Sequence, residues 1–255
     1  MRIIILTQDE PFFLAKNIDY LIKNLPEGTE IVSTILFDVS PFGKKESFYR
    51  KMKKTWTIFG SYFFLYYTIK YIKSTFNKQK RVSYVLSKHG IKEIRLKQGV
   101  NHHRSLEIIR SYRPDLLISI AGNQIFKKKL INLAPLGCLN LHTALLPKYR
   151  GLMPSFWVLK NNEPKTGVSI FFVDEGIDSG PILIQKELKI DDHMTQEELI
   201  KLSKKLGMNA ILESISLIKK GKYQLIENPD SQKTYYTFPT REDVKEFKSK
   251  GKRFY

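Results

Sequence analysis

Three side chains in this sequence could run acid–base chemistry together. Asn140 and His142 stand two residues apart in the stretch "LNLHTALLPKYRG", and in extended backbone residues i and i+2 point to the same side. Leu139 and Leu141 would then enter the core while the amide and the imidazole share the other face. A carboxylate partner comes from "FFVDEGIDSGPIL", an apolar run ending in a glycine-rich turn with Asp174, Glu175 and Asp178. An imidazole near a carboxylate gains basicity and a fixed tautomer, and an amide NH2 can stabilise a developing oxyanion. Such a set suits attack of an amine on a carbonyl carbon, where a proton must leave the nitrogen. The same residue types also build buried hydrogen-bond knots, and on types and spacing alone both readings stand.

The elements that must position these residues alternate. "RIIILT" reads as a buried strand, followed by a helix over 11–24 and a second strand over 30–37. Helices at "VSYVLSKHGI" and around 105–112 bracket a short strand at "KEIRLK", and "PDLLISIAG" follows as a strand. A short helix over 126–132, the strand "GCLNLH", a helix at "PSFWVLKNNE" and the strands "TGVSIFFVDEG" and "GPILIQKELKI" complete the alternation. Thr195 and Glu198 form the signature of a capping box at the head of a long amphipathic helix. Strands alternating with helices predict an α/β fold, a mostly parallel sheet covered on both faces. Both chemical stretches then fall at strand ends, where open α/β sheets form their sites.

The bulk numbers frame this. The 255 residues suffice for one domain with a real core plus an appendage, read as 1–195 and a C-terminal helix and basic tail over 196–255. The single cysteine, Cys138, excludes an internal disulfide framework and suggests a reducing compartment. "MRIIILTQDE" reads as a first core strand, not a signal peptide. A cytoplasmic protein is the expectation, with a peripheral place at the inner membrane surface left open. Of the net charge of +18, residues 41–104 hold sixteen Lys/Arg against two Glu, a local +14. That excess speaks about partners and solubility: either a solvated lysine-rich surface, or a phosphate-bearing substrate, nucleic acid or anionic lipid. Within an excursion at about 44–80, "TWTIFGSYFFLYYTI" runs fifteen residues without a charge, flanked by lysines. Roughly 20 apolar residues are needed to cross a bilayer as helix, so a crossing is not expected. Packing against the domain or a second subunit, and lying in a membrane interface, both remain open.

"NLHTALLPKYRG" followed by "TGVSIFFVDEGIDSGPIL" resembles the signature of the 10-formyltetrahydrofolate-dependent formyltransferases, a family with methionyl-tRNA, glycinamide-ribonucleotide and amino-sugar members. The resemblance is close over 115–190 and covers 1–112 only in element order. It implies a Rossmann-like formyltransferase fold and 10-formyltetrahydrofolate as formyl donor. Asn140 would stabilise the tetrahedral intermediate, His142 would pass the proton between the attacking amine and N10, and Asp178 would raise the basicity of His142 and hold the proton path. The pterin would be gripped largely by backbone, at Gln124, Ile125 and Phe126, at Leu145, Leu146 and Pro147, and at Asp174, Glu175, Gly176 and Ile177. Two positions depart from the family: Ala144 where a Ser often precedes Leu-Leu-Pro, and Leu152 where some amino-sugar members carry a basic residue.

The acceptor follows by comparison within that family. "LTQDEPFF" lacks the glycine-rich phosphate loop of the glycinamide-ribonucleotide members, and only about sixty residues follow the catalytic core, short of the C-terminal domain of the tRNA enzymes. The expected acceptor is a small primary amine, most simply an amino sugar on a nucleotide or lipid phosphate. Methionyl-tRNA is the alternative, and a non-catalytic membrane- or nucleic-acid-binding module is the non-enzyme reading. A homodimer stays open. His102 and His103 precede a helix and read as capping or surface residues, with acceptor contacts as the other reading; His89 and His193 read as structural and loop residues. Cys138 reads as core, and no Cys/His spacing marks a metal site.

Overall fold

In the computed structural model, residues 1–39 and 47–255 are described; the first part of the aromatic excursion, 44–46, lies outside them. The strands are β1 (Arg2–Gln8), β2 (Glu30–Phe37), β3 (Glu93–Ile94), β4 (Leu116–Ile120), β5 (Cys138–His142), the short β6 (Arg150–Gly151), β7 (Lys165–Phe172), β8 (Ile182–Lys189) and the short β9 (Tyr235–Tyr236). Seven of them form one sheet in the order β3-β2-β1-β4-β5-β7-β8, while β6 and β9 pair apart from it. The first five strands are parallel; β7 runs antiparallel to β5, and β8 to β7. The chain steps outward from β1 to β2 and β3, then returns to place β4 on the other side of β1. The carboxyl ends of β1 and β4 therefore diverge at a topological switch point, where open sheets leave a crevice.

Both faces of the sheet are buried, and β1 shows why its run of apolar residues is continuous. Ile3 and Ile5 pack under α1 (Leu14–Lys23), α4 (Val82–Lys88) and α8 (Gln196–Lys220), in one cluster with Ile18, Leu86, Met208 and Ile211. Ile4 and Leu6 face the opposite layer of α5 (His103–Ser111) and α6 (Lys128–Ile131), beside Ile109, Leu117 and Leu130. Each such side chain, fully buried, contributes about 1.5–3 kcal/mol. The helix α8 carries the expected capping box, with Thr195 and Glu198 bonded reciprocally. It covers β7, β8 and β5 and belongs to the sheet's own core, so cores are shared across position 195.

A third cluster holds the remaining elements. Phe156 and Trp157 of α7 (Pro154–Lys160), Phe247 of α9 (Arg241–Ser249) and Phe254 pack with Phe59. Phe59 ends α2 (Phe48–Phe59), and Gly60 at φ 87 separates it from α3 (Ser61–Thr75). The uncharged aromatic run is thus two helices broken at Gly60, which takes a backbone conformation that L side chains rarely adopt. Its inner face packs on the domain: Phe63 meets Phe254 with ring centroids 4.8 Å apart, and Tyr66 stacks on Tyr255 at 3.8 Å. Lys70 pairs with Glu197 of α8 at 2.7 Å beneath the rings of Phe13 and Tyr67. The backbone N–H groups of Gln196 and Glu197 donate to the carbonyls of Arg253 and Phe254 at 2.9 Å, so the chain's last residues satisfy the head of α8.

Candidate active site

The crevice at the switch point is a cavity of about 350 Å³, within the usual size of small-molecule sites. Its floor is made by strand ends. Gln8 closes β1, and its side-chain amide donates to the carbonyl of Ala121, just past β4. Thr7 donates to the Ile120 carbonyl at 2.7 Å, so β1 and β4 are tied together where they part. Asn140 and His142 come from β5, where the parallel register with β4 sets Asn140 beside Ser119. Both line the cavity while Leu139 enters the core, as alternation requires. The Asn140 side chain makes no hydrogen bond with the described residues, which leaves its amide free for a ligand.

His142 is held at one ring nitrogen and faces a carboxylate at the other. Its Nε2 lies 2.7 Å from the carbonyl of Tyr149. A carbonyl can only accept, so Nε2 carries a proton and Nδ1 is the nitrogen whose lone pair is left to accept a second one. Nδ1 stands 3.5 Å from Oδ2 of Asp178, too far for a strong hydrogen bond but close enough for the carboxylate to attract an imidazolium. The same Oδ2 accepts from the N–H of Gly151 at 2.8 Å.

The "KYRG" turn explains itself in these contacts. Tyr149 supplies the carbonyl for His142, and Gly151 supplies the N–H for Asp178. Its own residues are braced from 228–236. Arg150, 3% exposed, donates to Asp230 at 2.6 Å and to Asn228 at 2.9 and 3.0 Å. The two-residue strand β6 pairs in parallel with β9. Gly151 has φ 96, and a Cβ there would meet the Tyr236 carbonyl at 2.2 Å. Asn228 also donates to the carbonyls of Asp178 and Gly180 at 2.9 Å, fixing the turn behind Asp178. Within that turn Asp174 accepts from Gly176 N–H and from Ser179. The tail therefore buttresses both partners of the imidazole, a role that motif and spacing did not assign to Tyr149, Arg150, Gly151 or Asn228.

The expected folate-gripping residues divide. Gln124, Ile125, Phe126, Asp174, Gly176 and Ile177 line the cavity; Leu145, Leu146, Pro147 and Glu175 do not. Leu146 is buried with Phe171 and Ile182, and its N–H and carbonyl are taken by Ser169 and Gln185. That apolar and hydrogen-bonded commitment turns the Leu-Leu-Pro segment into support for the site. Gln124 accepts from Val100 N–H, so its side chain braces the loop while its backbone faces the cavity. Asn123, also lining, donates to the Asp38 carbonyl, which forces its Oδ1 to be the free atom; that oxygen is buried without a partner among the described residues. An orphan acceptor among apolar walls and loop backbone fits a flat heterocycle with N–H donors, as a pterin is.

One cation was missed. Lys204 of α8 lines the same cavity, and burial pushes its ammonium below the ordinary lysine value. It forms no ion pair with the described residues. It sits on a helix that reads from sequence as long and amphipathic with several lysines, so periodicity alone gave no reason to single it out. His102, His89 and Cys138 take structural places. His102 caps α5 by accepting from Arg104 N–H, and His89 meets Asp19 at 2.7 Å. Cys138 is buried, and that burial pushes its thiol up to about 12, which leaves it a core residue. Among the described residues no cluster of His, Cys, Asp and Glu could hold a metal.

A mostly parallel sheet with an amide, an imidazole and a carboxylate converging at its switch point defines an α/β protein that carries the side chains acid–base chemistry needs. Residues 72–215 match the family described as formyl transferase, more than half of the chain, and the chain belongs to that family. It is 37% identical over 163 residues to the methionyl-tRNA formyltransferase of Kosmotoga olearia, covering 64% of this chain and 52% of that one. The chain thus spans about half the length of the curated relatives it matches. Among solved structures, a sugar N-formyltransferase from a Shewanella species superposes with a TM-score of 0.62 at 18% identity, covering 97% of this chain and 87% of the other. An N-formyltransferase from Helicobacter canadensis, in complex with folinic acid and dTDP-3-aminofucose, gives 0.58 at 18% identity, covering 95% and 72%. At these identities the likeness is one of fold.

Proposed function

We propose that this protein transfers a formyl group from 10-formyltetrahydrofolate to a primary amine on a phosphate-linked acceptor, an amino sugar carried by a nucleotide or a lipid phosphate. The observation that carries formyl transfer is the meeting of Asn140, His142 and Asp178 at one end of the cavity, with Nε2 of His142 committed to the Tyr149 carbonyl. In the reaction the amine nitrogen bonds to the formyl carbon, the bond from that carbon to N10 breaks, and the amine's proton must reach N10. His142 takes that proton at Nδ1 and returns it to N10. Asp178 stabilises the imidazolium between the two events. The free amide of Asn140 donates to the formyl oxygen as it gains charge. The donor sits against the loop at 121–126 and the turn at 174–178, with Asn123 Oδ1 meeting a donor N–H; the binding of folinic acid by the Helicobacter canadensis protein supports a folate donor.

For the acceptor, the support is charge. Lys204, a cation in the cavity without a carboxylate partner among the described residues, suits a phosphate or sugar oxygen near the amine. Methionyl-tRNA is the second reading, favoured by the 37% identity to the Kosmotoga olearia methionyl-tRNA formyltransferase. The deciding experiment measures tetrahydrofolate release from 10-formyltetrahydrofolate without acceptor, with nucleotide-linked amino sugars, and with initiator methionyl-tRNA. Release with an amino sugar alone supports the first reading, and release with tRNA alone the second. His142→Ala must abolish release while folate binding persists; unchanged release in this variant overturns the mechanism.

A further inference from the structure

The outward stripe of α3 is apolar and exposed, and exposed cations flank it along the chain. Along α3 and its C-cap, Tyr62, Leu65, Ile69, Ile72 and Phe76 follow one another at spacings of three and four, so they form a single stripe. All five are exposed, from 45% at Ile69 to 85% at Tyr62 and Phe76. Trp56 of α2, 57% exposed, adjoins the head of the stripe through its hydrogen bond to Ser61 at 3.0 Å. The stripe has no means of turning inward. The other side of α3 is pinned by Phe63, Tyr66 and Tyr67 against Phe254, Tyr255 and Phe12, and by the Lys70–Glu197 ion pair. Contiguous apolar surface of this kind on a folded protein marks an interaction site.

Charge says with what. Between residues 47 and 92 there is no Asp or Glu. Arg50, Lys53, Lys54, Lys73, Lys78 and Lys80 are exposed and pair with no carboxylate among the described residues. We propose that this face docks on an anionic phospholipid bilayer, with the α3 stripe and Trp56 entering the headgroup boundary and the surrounding lysines meeting lipid phosphates. The 15 residues of α3 span about 22 Å, and among the described residues no helix is long and apolar enough to cross a membrane. The helix lies in the interface plane, as aromatic–aliphatic stripes with flanking cations do. Leu65, Ile69 and Ile72 favour lipid over nucleic acid, whose backbone and bases call for cations and stacking rings. A second copy of the chain would bring the same cations face to face across a symmetric contact, against electrostatics.

The proposal is independent of the acceptor, and its test needs no turnover. The full-length protein is mixed with vesicles of phosphatidylcholine alone, and with vesicles of phosphatidylcholine and phosphatidylglycerol in equal parts. Co-sedimentation and tryptophan emission are followed; Trp157 is 7% exposed, so a blue shift reports Trp56. Binding with a blue shift on the anionic vesicles alone is expected. Lys53→Ala/Lys73→Ala should weaken it roughly thirtyfold at low salt, and Leu65→Ser/Ile69→Ser/Ile72→Ser should abolish it with the melting temperature unchanged. No sedimentation of the wild type with anionic vesicles overturns the proposal. So does binding that survives the triple substitution, a dimer in solution that the triple substitution dissociates, or RNA binding that it removes while vesicle binding stays.

Discussion

Replacing Asp178 by Asn tests the electrostatic core of the mechanism with little structural disturbance. Asp178 has φ 50, a left-handed conformation that Asn tolerates as readily as Asp, and the amide oxygen of Asn can still accept from Gly151. What disappears is the negative charge 3.5 Å from Nδ1 of His142. At an effective dielectric of ~20 that charge is worth about 5 kcal/mol to an imidazolium at this distance. The retained amide dipole at the same position recovers part of it, which leaves a loss of about 3–4 kcal/mol in the step where His142 holds the proton. The expected outcome is a fall in kcat of about 10²–10³, with folate affinity and melting temperature near those of the wild type. The assay is tetrahydrofolate release at saturating donor with the acceptor that supports turnover. A kcat within about threefold of wild type, in a variant that binds folate normally, would refute the assignment of Asp178 as the counter-charge.

Three further outcomes are expected. Gly151→Ala forces a side chain into positive φ and against the Tyr236 carbonyl at 2.2 Å; a loss of about 2–5 kcal/mol should appear as a lowered urea midpoint. Lys204→Met should raise KM for a phosphate-bearing acceptor about 10–100-fold, the worth of one charged hydrogen bond, with KM for the folate unchanged. Glu197→Gln leaves Lys70 unpaired beneath aromatic rings and should cost about 2–4 kcal/mol near neutral pH. Burial raises the Glu197 carboxyl, but its bonds to Lys70 and Lys201 outweigh this and hold it below the ordinary range. A lowered folded-state value gives stability that is complete above the unfolded value of about 4.3 and is lost as pH falls through the folded one. The gap in melting temperature between wild type and variant should therefore close on acidification below that point and persist at neutral pH.

The layered sheet was legible because β1 carries the unbroken apolar run from Ile3 to Leu6 and β4 is apolar apart from Ser119, which only burial on two faces accommodates. The break at Gly60 was not. An uncharged aromatic run hides its period, since both faces of α3 are apolar: Phe63, Tyr66 and Tyr67 pack inward while Leu65, Ile69 and Ile72 look out. From sequence, packing and membrane contact stood as alternatives for this segment. The helix α3 has one face that packs and another left open, so the question of what meets it passed to the surface.

At the site, legibility tracked sequence distance. Asn140 and His142 are two residues apart on one strand, and strand period places them together. Asp178 needed the further knowledge that both strand ends share one crevice. The buttress was out of reach, because Arg150 reaching Asp230 and Asn228, and β6 pairing with β9, join segments about eighty residues apart with no local signal in either. Such supports follow from what a buried imidazole requires. A ring that must release a proton from one nitrogen needs the other held by an acceptor that never changes state, and a backbone carbonyl does not titrate. Tyr149 can present its carbonyl only if its turn is rigid, and a turn of Lys-Tyr-Arg-Gly is rigid only when something binds its guanidinium and pairs its backbone. The tail from Asn228 to Tyr236 does both, so changes there should move catalysis as much as stability.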